Sequence, residues 1–348
     1  MGVDKGTKPA AKVRGVAWKA KWIALGVLIL GVFIAVQAGY AGFGWAHLMS
    51  AVYPRDHALL GYVPVDTKVI VIVDPHQLDL KSLGGADGTP RTAIVRVRED
   101  VKKATGIDLA LDVDKLIVSP SLAVARGRFD GKKLASRLAE HRYVAADHKG
   151  VGYLVRAGED AIAVIDDAVL LYGDDASIKA SIDAKQGGTS LAQNEATTDR
   201  LKRLGWGHPL LVSVRVTDDK PSLRAMLSGS TGPRAVTVGV STKTGLDVHA
   251  IVDSASPSAA EELRKLLEEK RAGADALNAI TGPELGPVLT DVAKKATIAL
   301  ADGGNGVKLH VHLEPAQLEL IIKKANGAAP LAAYWKTLRL YQLLVPGN

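Results

Sequence analysis

The chain has no cysteine in 348 residues, and only three phenylalanines and three methionines. Without cysteine there is no thiol nucleophile, no disulfide, no lipid attachment at a thiol and no cysteine-ligated zinc or iron–sulfur cluster. Exported domains often rely on disulfides, but one of about 290 residues buries enough surface to stand without them. A surplus of one charge is also missing from most of the chain. The net charge of +7 suggests an anionic partner, yet the first 21 residues hold six of the 44 basic residues and one of the 37 acids. Everything after them carries 38 basic against 36 acidic residues, a balance that argues against nucleic acid as a partner. Several catalytic signatures are absent as well. The glycine-rich loops lack the Lys-Ser/Thr of a phosphate loop, and no Gly-x-Gly-x-x-Gly follows a strand. There is no His-Glu-x-x-His, and Ser228 and Ser230 sit in the wrong frame for a Gly-x-Ser-x-Gly elbow. No small-molecule substrate, cofactor or catalytic group is implied.

Charge is absent altogether between Lys21 and Arg55, and there the chain is apolar. The unbroken run Trp22–Val36 continues through Phe43 and Trp45. About 20 apolar residues cross a hydrocarbon layer of about 30 Å, so residues 22–48 predict a transmembrane helix with length to spare for tilt. Only a helix lets a single segment satisfy its own backbone there. Lys5, Lys8, Lys12, Arg14, Lys19 and Lys21 against Asp4 place residues 1–21 in the cytoplasm by the positive-inside rule. Trp18 and Trp22 at one end, with Tyr40, Phe43 and Trp45 at the other, match an interfacial aromatic belt. Val36-Gln37-Ala38 also fits a signal-peptidase site, so cleavage after Ala38 is the alternative. Both readings export the rest of the chain from the cell membrane.

A linker at 49–61 leads to Thr67–Asp74, a β-branched run with almost no polar alternation after Lys68, as in a central strand buried on both faces. Strands and helices then alternate in an order that recurs. Residues 67–140 and 210–271 both read strand–helix–strand–strand–helix, and 161–185 and 297–326 both read hairpin–helix. The expectation is an α+β fold after the membrane helix. It comprises two related units at 62–190 and 191–330, each an antiparallel sheet with helices on one face. Asp166-Asp167 marks a tight hairpin, and Asp130 and Ser256-Pro257 mark helix starts.

Tyr62-Val63-Pro64-Val65-Asp66-Thr67 before a Val-rich strand ending in Asp74, then Thr105-Gly106-Ile107-Asp108-Leu109, Val113-Asp114-Lys115-Leu116 and Ile165-Asp166-Asp167, carry a resemblance. Over about residues 60–190 the chain resembles a family of uncharacterised bacterial single-pass membrane-anchored envelope proteins. That resemblance implies topology without chemistry, since the family carries no established activity.

Histidine offers the best chemical constellation. His310 and His312 lie two apart on one strand, hence on one face, and His249 lies on another strand; imidazoles so spaced can ligate zinc. Clean alternation explains them without a metal: Val307, Leu309, Val311 and Leu313 take the core face, while Lys308, His310, His312 and Glu314 take solvent. No metal site is expected on that basis. Asp166-Asp167 and Asp174-Asp175 fall where turns and helix starts want Asp for backbone reasons.

At 331–348 a C-terminal apolar helix is expected. Leu331, Tyr334, Trp335, Leu338, Tyr341 and Val345 form one stripe, and Leu340, Leu343 and Leu344 form a second. The second stripe is the candidate partner-binding surface, for another protein or a second copy. The expected role is therefore an extracytoplasmic binding or scaffold protein of the envelope, acting through protein–protein association. The alternative is an extracytoplasmic hydrolase or metal-dependent enzyme with a site assembled from scattered residues.

Overall fold

In a computed structural model of the protein, residues 56–77, 99, 101–103, 105–109, 111–216, 233–242 and 245–326 are described. The expected membrane helix at 22–48 and the apolar helix carrying Leu340, Leu343 and Leu344 lie outside them. Among the described residues no helix is long and apolar enough to cross a membrane.

Among the described residues the fold is α+β, built on one antiparallel sheet of 12 strands. In chain order the strands are β1 Val69–Val73, β2 Val113–Val118, β3 Leu122–Gly127, β4 Val144–His148, β5 Val151–Val155 and β6 Ala161–Ile165. They continue with β7 Val169–Gly173, β8 Leu210–Arg215, β9 Ala235–Ser241, β10 Leu246–Asp253, β11 Thr297–Leu300 and β12 Gly306–Leu313. The helices are α1 Asp56–Leu59, α2 Gly131–Ala139, α3 Asp175–Lys185, α4 Glu195–Leu204, α5 Pro257–Ala272, α6 Ala276–Lys295 and α7 Pro315–Asn326. Across the sheet the order is β11-β12-β10-β9-β8-β1-β2-β3-β7-β6-β5-β4.

This departs from the expectation of two separate sheets. β1 pairs with β2 on one side and with β8 on the other, Val71 opposite Val212, so the two halves join edge to edge at the centre. The all-apolar β1 explains the join. With no polar row to offer water, it gains most by burial between two strands and under helices on both faces. From the β1–β8 pair outward, the strand order is the same on each side. One arm runs β1-β2-β3-β7-β6 and the other β8-β9-β10-β12-β11, with the β4–β5 hairpin extending the first.

Helices also cover both faces rather than one. On the first face, Ile70, Ile72, Ile117, Val124, Leu171 and Leu211 pack against Leu59 of α1, Ile178 and Ile182 of α3, and Leu201 of α4. On the second face, Leu134 and Leu138 of α2 meet Ala123, Ile162 and Tyr172. Further along that face, Val292 of α6 and Leu318 of α7 meet Val71, Val73, Val248 and Leu313. Ala260 and Leu263 of α5 cover Val252 and Val307.

Local chemistry sets the boundaries. Asp130, Asp174, Asn194 and Ser256 accept backbone N–H bonds from residues three further on, capping α2, α3, α4 and α5. Asp166 and Asp167, at φ 52° and 53°, make the left-handed two-residue turn between β6 and β7. These acids are thereby used by the backbone, as the sequence implied. α6 breaks at Gly282, whose φ of 85° and ψ of 173° are non-helical, immediately before Pro283.

Candidate metal centre

β10 and β12 alternate cleanly, and their pairing register brings the polar rows together. Asp247 faces His312 and His249 faces His310 across the two strands. Leu246, Val248, Val311 and Leu313 point the other way, into the core under α6 and α7. The polar row therefore lies on the first face of the sheet.

His249 and His310 stack with ring centroids 4.2 Å apart and planes 12° from parallel. His312 donates through Nδ1 to Asp247 Oδ1 at 2.8 Å, and His310 reaches the same oxygen through Nε2 at 3.3 Å. His312 Nε2 lies 3.4 Å from Glu314 Oε1. A fourth imidazole comes from the loop between α4 and β8: the His208 ring is 5.3 Å from that of His249, and its Nε2 lies 3.2 Å from the Leu204 carbonyl oxygen. Gly239 on β9, opposite His249, makes room for it. A Cβ at that position would sit 2.7 Å from two carbons of the His208 ring.

The electrostatics divide the group. Burial pushes His208 below the ordinary histidine range. His249 is lowered by burial first, and then by the neighbouring His310 and His208. His312 goes up, held protonated by its hydrogen bond to Asp247. Burial alone would raise the Asp247 carboxyl, but the hydrogen bonds from His312 and His310 outweigh it and keep it below the usual range. The site thus sets a carboxylate whose ionised form is favoured by its hydrogen bonds beside two imidazoles, His208 and His249, whose neutral forms are favoured by burial.

One ligand atom each from Asp247, His249 and His310 lie within 4.8 Å of one another. Bond lengths of about 2.0–2.1 Å put neighbouring ligands of a tetrahedral zinc about 3.3 Å apart, so ligation requires the stacked His249 and His310 rings to turn until their in-plane nitrogens meet at the ion. Of the histidines singled out from sequence, His249 and His310 come together in this group, while His312 sits beside it and holds Asp247. Sequence reasoning missed Asp247 and His208. Asp247 shares the parity of His249 on β10, a legible signal, whereas nothing local to His208 announces its neighbour.

The first arm has its own polar cluster, of a different kind. Tyr143 and Tyr172 both donate to Asp160 Oδ2, at 2.7 and 2.6 Å, and Arg156 pairs with Oδ1 at 3.0 Å. Burial first, then the Asp160 hydrogen bond, pushes both phenols far up. Such a closed network holds strands together and leaves no ligand position.

No protein-family model matches this chain, and no curated protein sequence matches it. The resemblance noted above therefore rests on its quoted motifs alone. Among solved structures, three crystal forms of the Treponema protein TP0453 are similar in outline. Form III has a TM-score of 0.43 at 9% identity, covering 76% of this chain and 97% of that one. Form I gives 0.40 at 8% identity and form IV 0.39 at 10%, each covering 76% of this chain, with 96% and 95% of the other chain covered. Identities and TM-scores this low carry no argument about fold or role.

Proposed function

We propose that this protein is a single-pass, membrane-anchored binding or scaffold protein of the bacterial envelope. Its N-terminus is cytoplasmic, its sheet lies outside the cell membrane, and it acts through protein–protein association. The observation that carries the reading is the uncharged, apolar stretch between Lys21 and Arg55, with six basic residues on one side and a charge-balanced chain on the other. The two arms are read as diverged copies of one unit, and their shared strand order supports this.

The partner surface is the second apolar stripe of 331–348, Leu340, Leu343 and Leu344. Changing the three to Gln in the full-length protein, then measuring membrane-complex size after crosslinking and stability separately, tests it. Lost assembly with unchanged stability is the expected outcome. A wild-type protein that crosslinks to nothing, itself included, would contradict it. The histidine cluster favours a second reading, a metal-dependent extracytoplasmic enzyme, because one ligand atom each from Asp247, His249 and His310 lie within 4.8 Å of one another.

A further inference from the structure

We propose that Asp247, His249 and His310 form a site for one divalent transition metal of the zinc class, half-exposed on the first face of β10 and β12, beyond the end where Arg203 of α4 pairs with Asp253.

A solvated strand face needs only polar residues, and Lys, Thr or Glu would serve. This face instead places two imidazoles ring to ring at 4.2 Å, with a carboxylate beside them and a third imidazole 5.3 Å from His249. Antiparallel register fixes the two imidazole-bearing Cα positions opposite each other, His249 against His310, so the ligands stand on ladder strands and not on loops. Gly239 keeps the adjacent strand low enough for His208 to close one flank.

The donor set of two nitrogens and one carboxylate oxygen suits zinc, cobalt or nickel, whereas calcium and magnesium take oxygen shells. Three protein ligands leave a fourth position for water, the pattern of an open zinc site. α7 packs Leu318 on the opposite face of the sheet, away from this row. His312 is a positioning residue: its Nδ1 hydrogen bond orients the Asp247 carboxylate without joining the ligand set.

The test uses the full-length protein in detergent, stripped with chelator and titrated with Co²⁺ in the visible range, then with Zn²⁺ in competition. One equivalent of Co²⁺ with the intense bands of four- or five-coordinate metal, displaced by Zn²⁺ with a dissociation constant in the micromolar range or tighter, is expected. His249→Gln and His310→Gln should each weaken binding at least 100-fold. His312→Gln should keep the stoichiometry and weaken binding about tenfold, in the range of a lost outer-sphere hydrogen bond. His141→Gln, on the exposed turn after α2, should change nothing. Circular dichroism checks that each variant is folded. Should His249→Gln fail to fold, the half-exposed His310 carries the comparison. No low-symmetry cobalt spectrum in the wild type, or unchanged binding in the folded His310→Gln variant, overturns the proposal.

Discussion

The two arms of the sheet place strands in the same order from the centre, yet use their fourth strands in opposite ways. In the first arm, the helix after β7 is α3, which lies on the first face and buries Ile178 and Ile182 against Leu171 and Val124. In the second arm, the helix after β12 is α7, which lies on the second face and buries Leu318 near Val311 and Leu313. On the first face of β10, α4 holds one end, where Ile251 is buried and Arg203 pairs with Asp253, and Asp247, His249, His310 and His312 form a half-exposed row beside it. Strand order alone does not decide where chemistry can sit. The choice of face by one helix turns the same sheet position into core in one arm and into an accessible polar surface in the other. The first arm's ionisable side chains at Asp160 close on one another, while the second arm's stand open.

The largest expected break of this comparison is Leu171→Ala. Its side chain is 0% exposed, and truncation should cost about 2–5 kcal/mol in urea denaturation. A cost near zero would mean that α3 does not cover that face. Next, Tyr172→Phe leaves the buried Asp160 with one phenol fewer and should cost about 1–3 kcal/mol. A neutral result would show that Asp160 is hydrated.

A smaller effect concerns pH in the metal-free protein. His249 and His208 are depressed in the fold, so their contribution to stability is present above the ordinary histidine pKa and is lost as pH falls through their folded values. His312 is raised, so its contribution is full below that ordinary value and fades as pH rises through its folded value. Urea midpoints from acid to mildly alkaline pH should therefore show His249→Gln losing less stability on acidification than wild type. His312→Gln should lose less on the alkaline side. Parallel curves for all three proteins would contradict these assignments. Smallest of all, His310→Gln in chelator should lie within about 0.5 kcal/mol of wild type, as for a surface change.

Much of this was legible locally. The apolar β1 identified itself as a doubly buried strand, Asp130 and Ser256-Pro257 announced helix starts, and Asp166-Asp167 announced a left-handed turn, because each signal resides in a few adjacent residues. The fusion of two sheets into one was not legible, since the pairing of Val71 with Val212 joins segments with no shared local signature. Nor was the full histidine site. Alternation gave the parity of His310 and His312 on β12, but β10 and β12 are separated by α5, α6 and β11. Only their tertiary register brings Asp247 to His312 and His249 to His310. The side each helix takes was not legible for the same reason: whether a helix crosses to one side of a sheet or the other depends on what remains uncovered there.

The central claim, that the sheet is displayed outside the cell membrane, can be tested with the missing cysteine. A single Val144→Cys on edge strand β4, at a position 59% exposed, would be the only thiol in the protein. In spheroplasts with an intact cell membrane, a membrane-impermeant maleimide should label it fully, and lysis should add nothing. Labelling that appears only after lysis would place the sheet in the cytoplasm and contradict the account.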